Sequence, residues 1–241
     1  MSKKNNLNIC LTPDNFSNYH ISDDTLVVVV DLLRATTVIS TAFHYGIKEI
    51  IPVQGVDQAR EYIGKENHIV AAERNAMALE GFDYGNSPFQ YMNDNIKEKS
   101  LVLTTTNGTH AINIARRYKV ITASFINIDT VLDFLISTSK DVLILCSGWK
   151  GVFNLEDSLF AGCLANRLLL STYFTTNCDS VLASSRLYHQ SKDDMFNYLS
   201  ESAHRKRLKS LNMERDTKFC LTPPIKSSII PTLIGEKLIR G

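Results

Sequence analysis

Four consecutive valines at positions 27–30 constrain the fold more than any other feature of this sequence. An apolar run of β-branched residues is typical of a strand that is buried on both faces, as in parallel sheets covered by helices. The sequence then becomes polar at once, as DLLRATT, before apolar residues return at helical spacing and stop at Gly46. This stretch therefore predicts a strand, a polar turn and a helix.

The same unit recurs twice, as LVLTTTNGTHAINIARRY and as DVLILCSGWKGVFNLEDSLFAGCLANRLL. Shorter apolar strands, IKEIIPV, HIVAA and VITAS, follow or separate these units, and residues 56–64 predict a further helix. Strands that alternate with helices predict an α/β fold, with three α/β/α layers and a mostly parallel sheet built from repeated strand–polar turn–helix units. We expect a single domain over residues 1–241, or two closely packed halves of it.

The last third of the chain has a weaker pattern. SVLASSRLYHQ and SAHRKRLKSL predict helices, and the segment that ends in IIPTLI predicts an extended strand broken by proline. The basic run at 204–209 predicts a solvated helix face, with His204 facing a phosphate as the alternative.

The composition argues against several classes of function. The 241 residues are 44% hydrophobic and 21% charged with a net charge of +1, so no global field attracts nucleic acid or a membrane surface. No apolar run approaches the roughly 20 residues that span a bilayer, and the N-terminal segment lacks the apolar core of a secretory signal. The five cysteines are far apart, which argues against a disulfide framework or a thiolate zinc site. We expect a cytoplasmic protein without nucleic-acid or membrane partners, and the sequence leaves a homo-oligomer open.

Hydroxyl-rich turns follow two of the predicted strands. TTTNGT (104–109) places hydroxyls, an amide and a glycine at the start of a helix, and Thr36 and Thr37 hold the corresponding place in the first unit. Free N–H groups at a helix N-terminus bind anions, and the carboxyl ends of parallel strands line the ligand crevice in such folds. Each turn alone is better explained as helix capping, but the two together favour an oxyanion site.

Charged residues follow the predicted strands as three pairs, which are Asp31–Arg34, Glu73–Arg74 and Glu156–Asp157. Arginine binds phosphate or sulfonate oxygens through two hydrogen bonds, and carboxylates that meet at one sheet edge suit a hard divalent cation. The alternatives are a structural Asp31–Arg34 ion pair and acidic residues placed at 156–157 by the helix dipole. The loop GFDYGNSPFQY either presents Asn86 and Ser87 to the same crevice or is a plain surface loop.

Four motifs occur here in the order found in the 2-phosphosulfolactate phosphatase family. They are DLLRATT (31–37), ERN with GFDYGNSP (73–88), LTTTNGT (103–109) and LEDSLFAG (155–162). The segment SAHRKRLKSLNMERDTKFC also resembles the C-terminal part of that family, so the resemblance covers about residues 27–235. It implies a three-layer α/β phosphoric monoester hydrolase that depends on Mg²⁺ and converts (2R)-phospho-3-sulfolactate to 3-sulfolactate and phosphate, on a route toward coenzyme M.

The resemblance has one departure. The family commonly has glycine just before the Glu-Arg pair and often again two or three residues after it, where this chain has Ala72, Asn75, Ala76 and Met77. The added side chains reshape one wall of the expected site, which bears on the substrate more than on the reaction type.

We assign roles within these motifs from the residue types. The predicted catalytic residues are Asp31, Arg34, Glu73 and Arg74. The predicted substrate-binding residues are Thr36, Thr37, Asn86, Ser87, Thr105, Thr106, Asn107 and Gly108. The predicted Mg²⁺ ligands are Asp31, Glu73, Glu156 and Asp157.

The expected reaction is attack on phosphorus by a metal-bound water or by Asp31 itself, with cationic groups stabilising the phosphoryl oxygens. The alternatives are a phosphatase of another small polyanionic phosphate ester and a non-catalytic anion-binding protein of the same fold. A nucleotide-binding domain is disfavoured, because the sequence has neither GxxxxGK[ST] nor GxGxxG.

Overall fold

A computed structural model describes residues 4–241, so the first three residues of the predicted domain lie outside the description. One sheet of eleven strands runs through the described residues in the order β5-β4-β6-β3-β11-β10-β7-β2-β8-β1-β9. The strands are β1 (Asn5–Cys10), β2 (Leu26–Val30), β3 (Glu49–Pro52), β4 (His68–Arg74), β5 (Met77–Ala78), β6 (Ser100–Thr104), β7 (Lys119–Thr122), β8 (Val142–Cys146), β9 (Phe174–Thr175), β10 (Pro231–Ile234) and β11 (Lys237–Arg240). The α-helices are α1 (Ala35–His44), α2 (Val56–Arg60), α3 (Gly108–Ala115), α4 (Ile128–Thr138), α5 (Leu155–Leu170), α6 (Asp179–Ser191), α7 (Met195–Tyr198), α8 (Ala203–Ser210) and α9 (Glu214–Leu221).

Both faces of the sheet are covered, which confirms the predicted three-layer α/β/α fold. Alternate valines of β2 belong to opposite cores: Val27 and Val29 pack with α1 and α3, while Val28 and Val30 pack with α4, α5 and α6. A smaller core lies between α2 and the strands β3, β4 and β6. Because each face of β2 meets a helix layer, the strand has no position where a polar side chain would reach water.

An antiparallel hairpin joins two groups of parallel strands. β3, β4 and β6 form one group, and β1, β2, β7, β8 and β9 form the other. The hairpin β10–β11 lies between them, with Thr232 beside Ile121 of β7 and Leu238 beside Ile50 of β3. Pro231 is the first residue of β10, a position that tolerates the missing N–H. The predicted strand at this proline is therefore present, in the middle of the sheet.

The sheet curves around α1 and α3. Four strands separate β2 from β6, which in a flat sheet would place these two strands roughly 24 Å apart. Yet α3, which follows β6, touches the turn after β2: a Cβ atom built on Gly108 would lie 2.9 Å from Asp31 Oδ2. Strands of both groups share one core with these two helices. The curvature therefore brings the polar turns of the two groups together.

The predicted helix at 56–64 is shorter in the structure, where α2 ends at Arg60. The N–H groups of Tyr62 and Ile63 donate to carbonyls three residues earlier, so the chain continues as a tighter turn up to Gly64. No helix within residues 4–241 combines the length and the apolar composition that a membrane span needs.

Candidate active site

A polar cleft lies between the carboxyl ends of the strands and α8. Six predicted site residues line it, namely Asp31, Arg34, Glu73, Asn86, Thr106 and Asn107. Eight further residues complete its wall, namely Leu33, Asn75, Ala76, Trp149, Lys150, His204, Arg207 and Leu208. The predicted convergence of the strand ends on one crevice therefore holds for β2, β4 and β6, and the loop after β8 joins them.

Asp31 is a buried carboxylate held by the turn that it begins. Its Oδ1 accepts a hydrogen bond from the N–H of Ala35 at 3.2 Å, and its Oδ2 faces Gly108 at the start of α3. Glycine at position 108 leaves room for the helix N-terminus to approach this oxygen. Burial raises the pKa of Asp31 to about 6, although the hydrogen bond from Ala35 and the nearby His204 act in the opposite direction.

Arg34 lines the cleft with an anchored guanidinium. Its Nη1 donates to Asp216 Oδ2 and its Nη2 to the carbonyl of Ala76, each at 2.5 Å. The peptide bond between Leu33 and Arg34 is cis. Ser87 Oγ donates to the other oxygen of Asp216 at 3.1 Å, so its hydroxyl is committed to this network and Ser87 does not line the cleft. Sequence analysis missed Asp216, because 182 residues separate it from Arg34.

Glu73 and Asn86 present oxygen atoms to the cleft. Glu73 Oε1 accepts a hydrogen bond from the N–H of Ala76 at 2.5 Å, which closes a tight turn after β4. Asn86 Oδ1 is buried and has no hydrogen-bond partner among the described residues. A buried oxygen without a donor is costly. This atom is therefore suited to a group that is bound from outside the chain.

Most of the predicted threonines stabilise the turns and do not face the cleft. Thr36 and Thr37 are fully buried, and their hydroxyls donate to backbone carbonyls of the turn after β2 at 3.0 and 2.9 Å. Thr105 Oγ1 accepts a hydrogen bond from the N–H of Thr109 at 3.2 Å and thereby caps α3. Thr106 is the threonine that lines the cleft. Of the other three, only Thr105 accepts a helix N–H as a capping residue does, while Thr36 and Thr37 stabilise the turn after β2 by donating to its carbonyls.

Arg74 lies outside the cleft, although its neighbour Glu73 lines it. Adjacent residues of a strand point in opposite directions, and Arg74 turns toward a second pocket beyond the 105–107 turn. Its Nη1 donates to the carbonyl of Glu73 at 2.7 Å, and its Nη2 donates to Thr104 Oγ1 at 3.1 Å. The predicted catalytic pair is therefore divided between two pockets.

The four predicted Mg²⁺ ligands do not assemble. Asp31 and Glu73 line the cleft, but Glu156 and Asp157 are buried behind it. Within residues 4–241, no three His, Cys, Asp or Glu side chains are arranged to hold a metal ion. Asp157 accepts a backbone N–H from the turn after β2 at 2.8 Å and another from the turn after β8 at 3.1 Å. Its carboxylate joins these two turns.

Glu156 contacts an imidazole. Its Oε1 accepts a hydrogen bond from His204 Nδ1 at 2.5 Å, and its Oε2 has no partner among the described residues. Because Nδ1 is bound to Glu156, Nε2 is the nitrogen of His204 that remains for the cleft. The prediction of a solvated face for 204–209 is wrong on this side of α8, since Arg207 and Leu208 recur at helical spacing and line the cleft with His204.

A sequence model of the 2-phosphosulpholactate phosphatase family matches residues 10–235 of this chain. The chain belongs to that family. Three relatives are each named as a probable 2-phosphosulfolactate phosphatase. The Thermotoga petrophila relative is 39% identical over 212 residues, which cover 88% of this chain and 90% of the relative. The Caldanaerobacter subterraneus relative is 37% identical over 217 residues, which cover 86% and 90%.

The Clostridium botulinum (strain Eklund 17B) relative is 32% identical over 238 residues, which cover 97% of this chain and 99% of the relative. These matches confirm the family that the motifs indicated and its enzyme class, the phosphoric monoester hydrolases.

The turn after Glu73 contains two residues with left-handed backbone. Asn75 and Ala76 have φ angles of +57° and +67°. This left-handed backbone favours glycine, because a Cβ atom is strained there. Ala76 therefore adopts a glycine-like conformation, and it contributes both its carbonyl to Arg34 and part of the cleft wall.

Two cations of the cleft have no ion-pair partner in the described part of the chain. Lys150 follows β8 and Arg207 belongs to α8, and each lies 5.2 Å from the ring centroid of Trp149. Sequence analysis missed both residues. A signal was present for Lys150, because it directly follows the only tryptophan of the chain in the glycine-containing loop SGWKG. Unlike Arg34, these two cations are available to an anion.

Proposed function

We propose that this cleft hydrolyses (2R)-phospho-3-sulfolactate to 3-sulfolactate and phosphate with the help of Mg²⁺. The observation that carries the proposal is that one cleft combines a carboxylate-bound imidazole, His204, with two cations, Lys150 and Arg207, that have no ion-pair partner among residues 4–241. A phosphate ester with a sulfonate and a carboxylate carries about four negative charges. The name shared by the relatives supports the same substrate.

Mg²⁺ fits the oxygen atoms that remain at the cleft. Asp31 and Glu73 supply carboxylates, and Asn86 Oδ1 is a buried oxygen of the cleft wall that has no hydrogen-bond partner within residues 4–241. Mg²⁺ usually binds one or two carboxylates and completes its shell with water and substrate phosphate, so Glu156 and Asp157 are not needed. When bound, Mg²⁺ would place positive charge against the phosphate oxygens.

The residues of the chain supply the proton transfers and the binding of the anion. Lys150, Arg207 and the backbone N–H groups at the start of α3 bind the phosphate and neutralise its charge in the transition state. Asp31 accepts a proton from the attacking water as the new P–O bond forms. The ester P–O bond breaks, and the leaving oxygen takes a proton from Nε2 of His204. Glu156 orients the imidazole through Nδ1.

The test of the function is phosphate release from racemic phosphosulfolactate, phospholactate and 3-phosphoglycerate by protein dialysed against EDTA, with and without added Mg²⁺. We expect release that requires Mg²⁺ and prefers the sulfonate. Equal release from all three esters would point to a phosphatase of another small polyanion, and absence of release from all three would contradict the proposal.

The role of His204 is tested with two leaving groups. An alkoxide leaving group needs a proton, whereas p-nitrophenolate does not, so His204→Asn should lower kcat by about 100-fold or more for phosphosulfolactate and far less for p-nitrophenyl phosphate. His189→Asn, on the exposed side of α6, is the matched control. An equal loss for both esters would show that His204 is not the proton donor.

A further inference from the structure

A second polar pocket adjoins the cleft on the other side of the 106–107 turn. Thr106, Asn107 and Lys150 line both pockets, and Arg74 lines the second one alone. This pocket contains two predicted site residues that the cleft excludes, the predicted catalytic residue Arg74 and the predicted substrate-binding residue Thr105. This pocket therefore has anion-binding groups that the cleft does not share.

The guanidinium of Arg74 is anchored but not neutralised. It donates to two carbonyls and one hydroxyl, those of Glu73, Gln54 and Thr104, and to no carboxylate within residues 4–241. A guanidinium has five N–H donors, so donors remain for a ligand. These three neutral oxygens hold the guanidinium in one orientation, but they carry no net charge and do not neutralise it.

A buried hydroxyl and a helix start complete the same pocket. Ser147, directly after β8, is 1% exposed, and its Oγ has no hydrogen-bond partner among the described residues. The eight-residue helix α3 begins at Gly108, next to the pocket, and its first N–H groups favour negative charge. Lys150 adds a second cation, and the exposed carboxylate of Asp14 is the one acidic group on the wall of this described pocket. The pocket wall therefore has two cations, Arg74 and Lys150, against this one carboxylate.

We propose that this pocket binds a tetrahedral oxyanion, a sulfonate or a phosphate, through Arg74, Ser147 and Lys150. Two sources have this chemistry. One is the sulfonate of a substrate whose phosphate lies in the adjoining cleft, and this source rests on the proposed function. The other is a free anion, such as the phosphate that the reaction releases.

The binding test uses inorganic sulfate and isothermal titration calorimetry of the full chain. Wild type should bind two sulfate ions per chain, one in each pocket. Arg74→Met and Ser147→Ala should each weaken one of the two by about tenfold or more, since each removes a hydrogen bond to a charged ligand. Arg116→Met, which removes an exposed arginine paired with Glu236, is the matched control and should bind as wild type does. Unchanged isotherms for both pocket variants would overturn the proposal.

Kinetics then separate the two sources. If the pocket holds the sulfonate of the substrate, Arg74→Met should raise KM about tenfold for phosphosulfolactate and leave KM for phospholactate, which has no sulfonate, within twofold. If the pocket holds a free anion, both KM values of Arg74→Met should equal those of wild type, and the inhibition constant of phosphate should rise instead. The sulfate titration does not depend on turnover, so failure of the proposed function would leave a two-site isotherm in place.

Discussion

Gly108→Ala is the substitution whose effect the structure predicts most directly. A Cβ atom at this position would lie 2.6 Å from Ala35 Cβ and 2.9 Å from Asp31 Oδ2, whereas ordinary contact begins near 3.4 Å. The turn after β2 or the start of α3 must therefore move by about 0.8 Å. Neither neighbour can swing away, because Ala35 has no further side-chain atoms and Asp31 is held by the N–H of Ala35.

The expected cost has two parts of opposite sign. Overpacking of a tight contact destabilises by about 1–3 kcal/mol, and replacing glycine by alanine in a helix returns up to about 1 kcal/mol. We expect a net loss of about 1 kcal/mol, which lowers the melting temperature by roughly 2–4 °C in a protein of this size. Displacing the Asp31 carboxylate by this distance should lower kcat by about 100-fold.

Thermal unfolding and phosphate release measure the two effects. Gly55→Ala is the control, since a Cβ atom there has no neighbour closer than 4.0 Å. The double substitution Ala35→Gly with Gly108→Ala removes the closest contact but not the one with Asp31. It should therefore recover stability without recovering kcat. A Gly108→Ala protein that melts within about 1 °C of wild type and turns over at the same rate would refute the reasoning.

Three further predictions concern the stability of the fold. Asp157→Ala leaves two buried backbone N–H groups without acceptors, so the free energy of unfolding from urea titration should fall by about 2–5 kcal/mol, and a loss below about 1 kcal/mol would contradict its joining role. Ala76→Gly relieves a left-handed alanine and should raise the free energy of unfolding by about 1 kcal/mol, whereas a loss would show that φ is not strained there. Burial acts to raise the pKa of Glu49, but hydrogen bonds from Lys237 and Ser100 hold it below its ordinary value, so its ionised form adds stability that disappears as the pH falls through that lowered pKa. Between about pH 5 and pH 3, the melting temperature of Glu49→Gln should therefore fall less than that of wild type. Parallel profiles of melting temperature against pH would contradict this linkage.

Local sequence determined the elements that carry the cleft. The apolar run that becomes β2 and the turn that follows it depend on residues close in the chain, as does the hydroxyl-rich turn before α3. Hydrophobic periodicity and helix capping act over a few residues, so both can be recognised from the sequence alone. The placement of Asp31, Glu73 and Thr106 at strand ends followed from this alone, together with the rule that parallel strands present their carboxyl ends to one crevice.

Tertiary structure decided which of these residues face the same space. Glu73 and Arg74 are neighbours in the chain, yet the alternation of the strand sends them to two pockets. Glu156 lies against His204 of α8, a contact between residues 48 positions apart that the sequence did not predict.

The curvature of the sheet brings Gly108 to Asp31, and the hairpin of residues 231–240 lies between β3 and β7. Contacts between residues so far apart in the chain produce no hydrophobic periodicity in either segment. For that reason the sequence by itself determined the turns, and only the folded chain determined the site that they form.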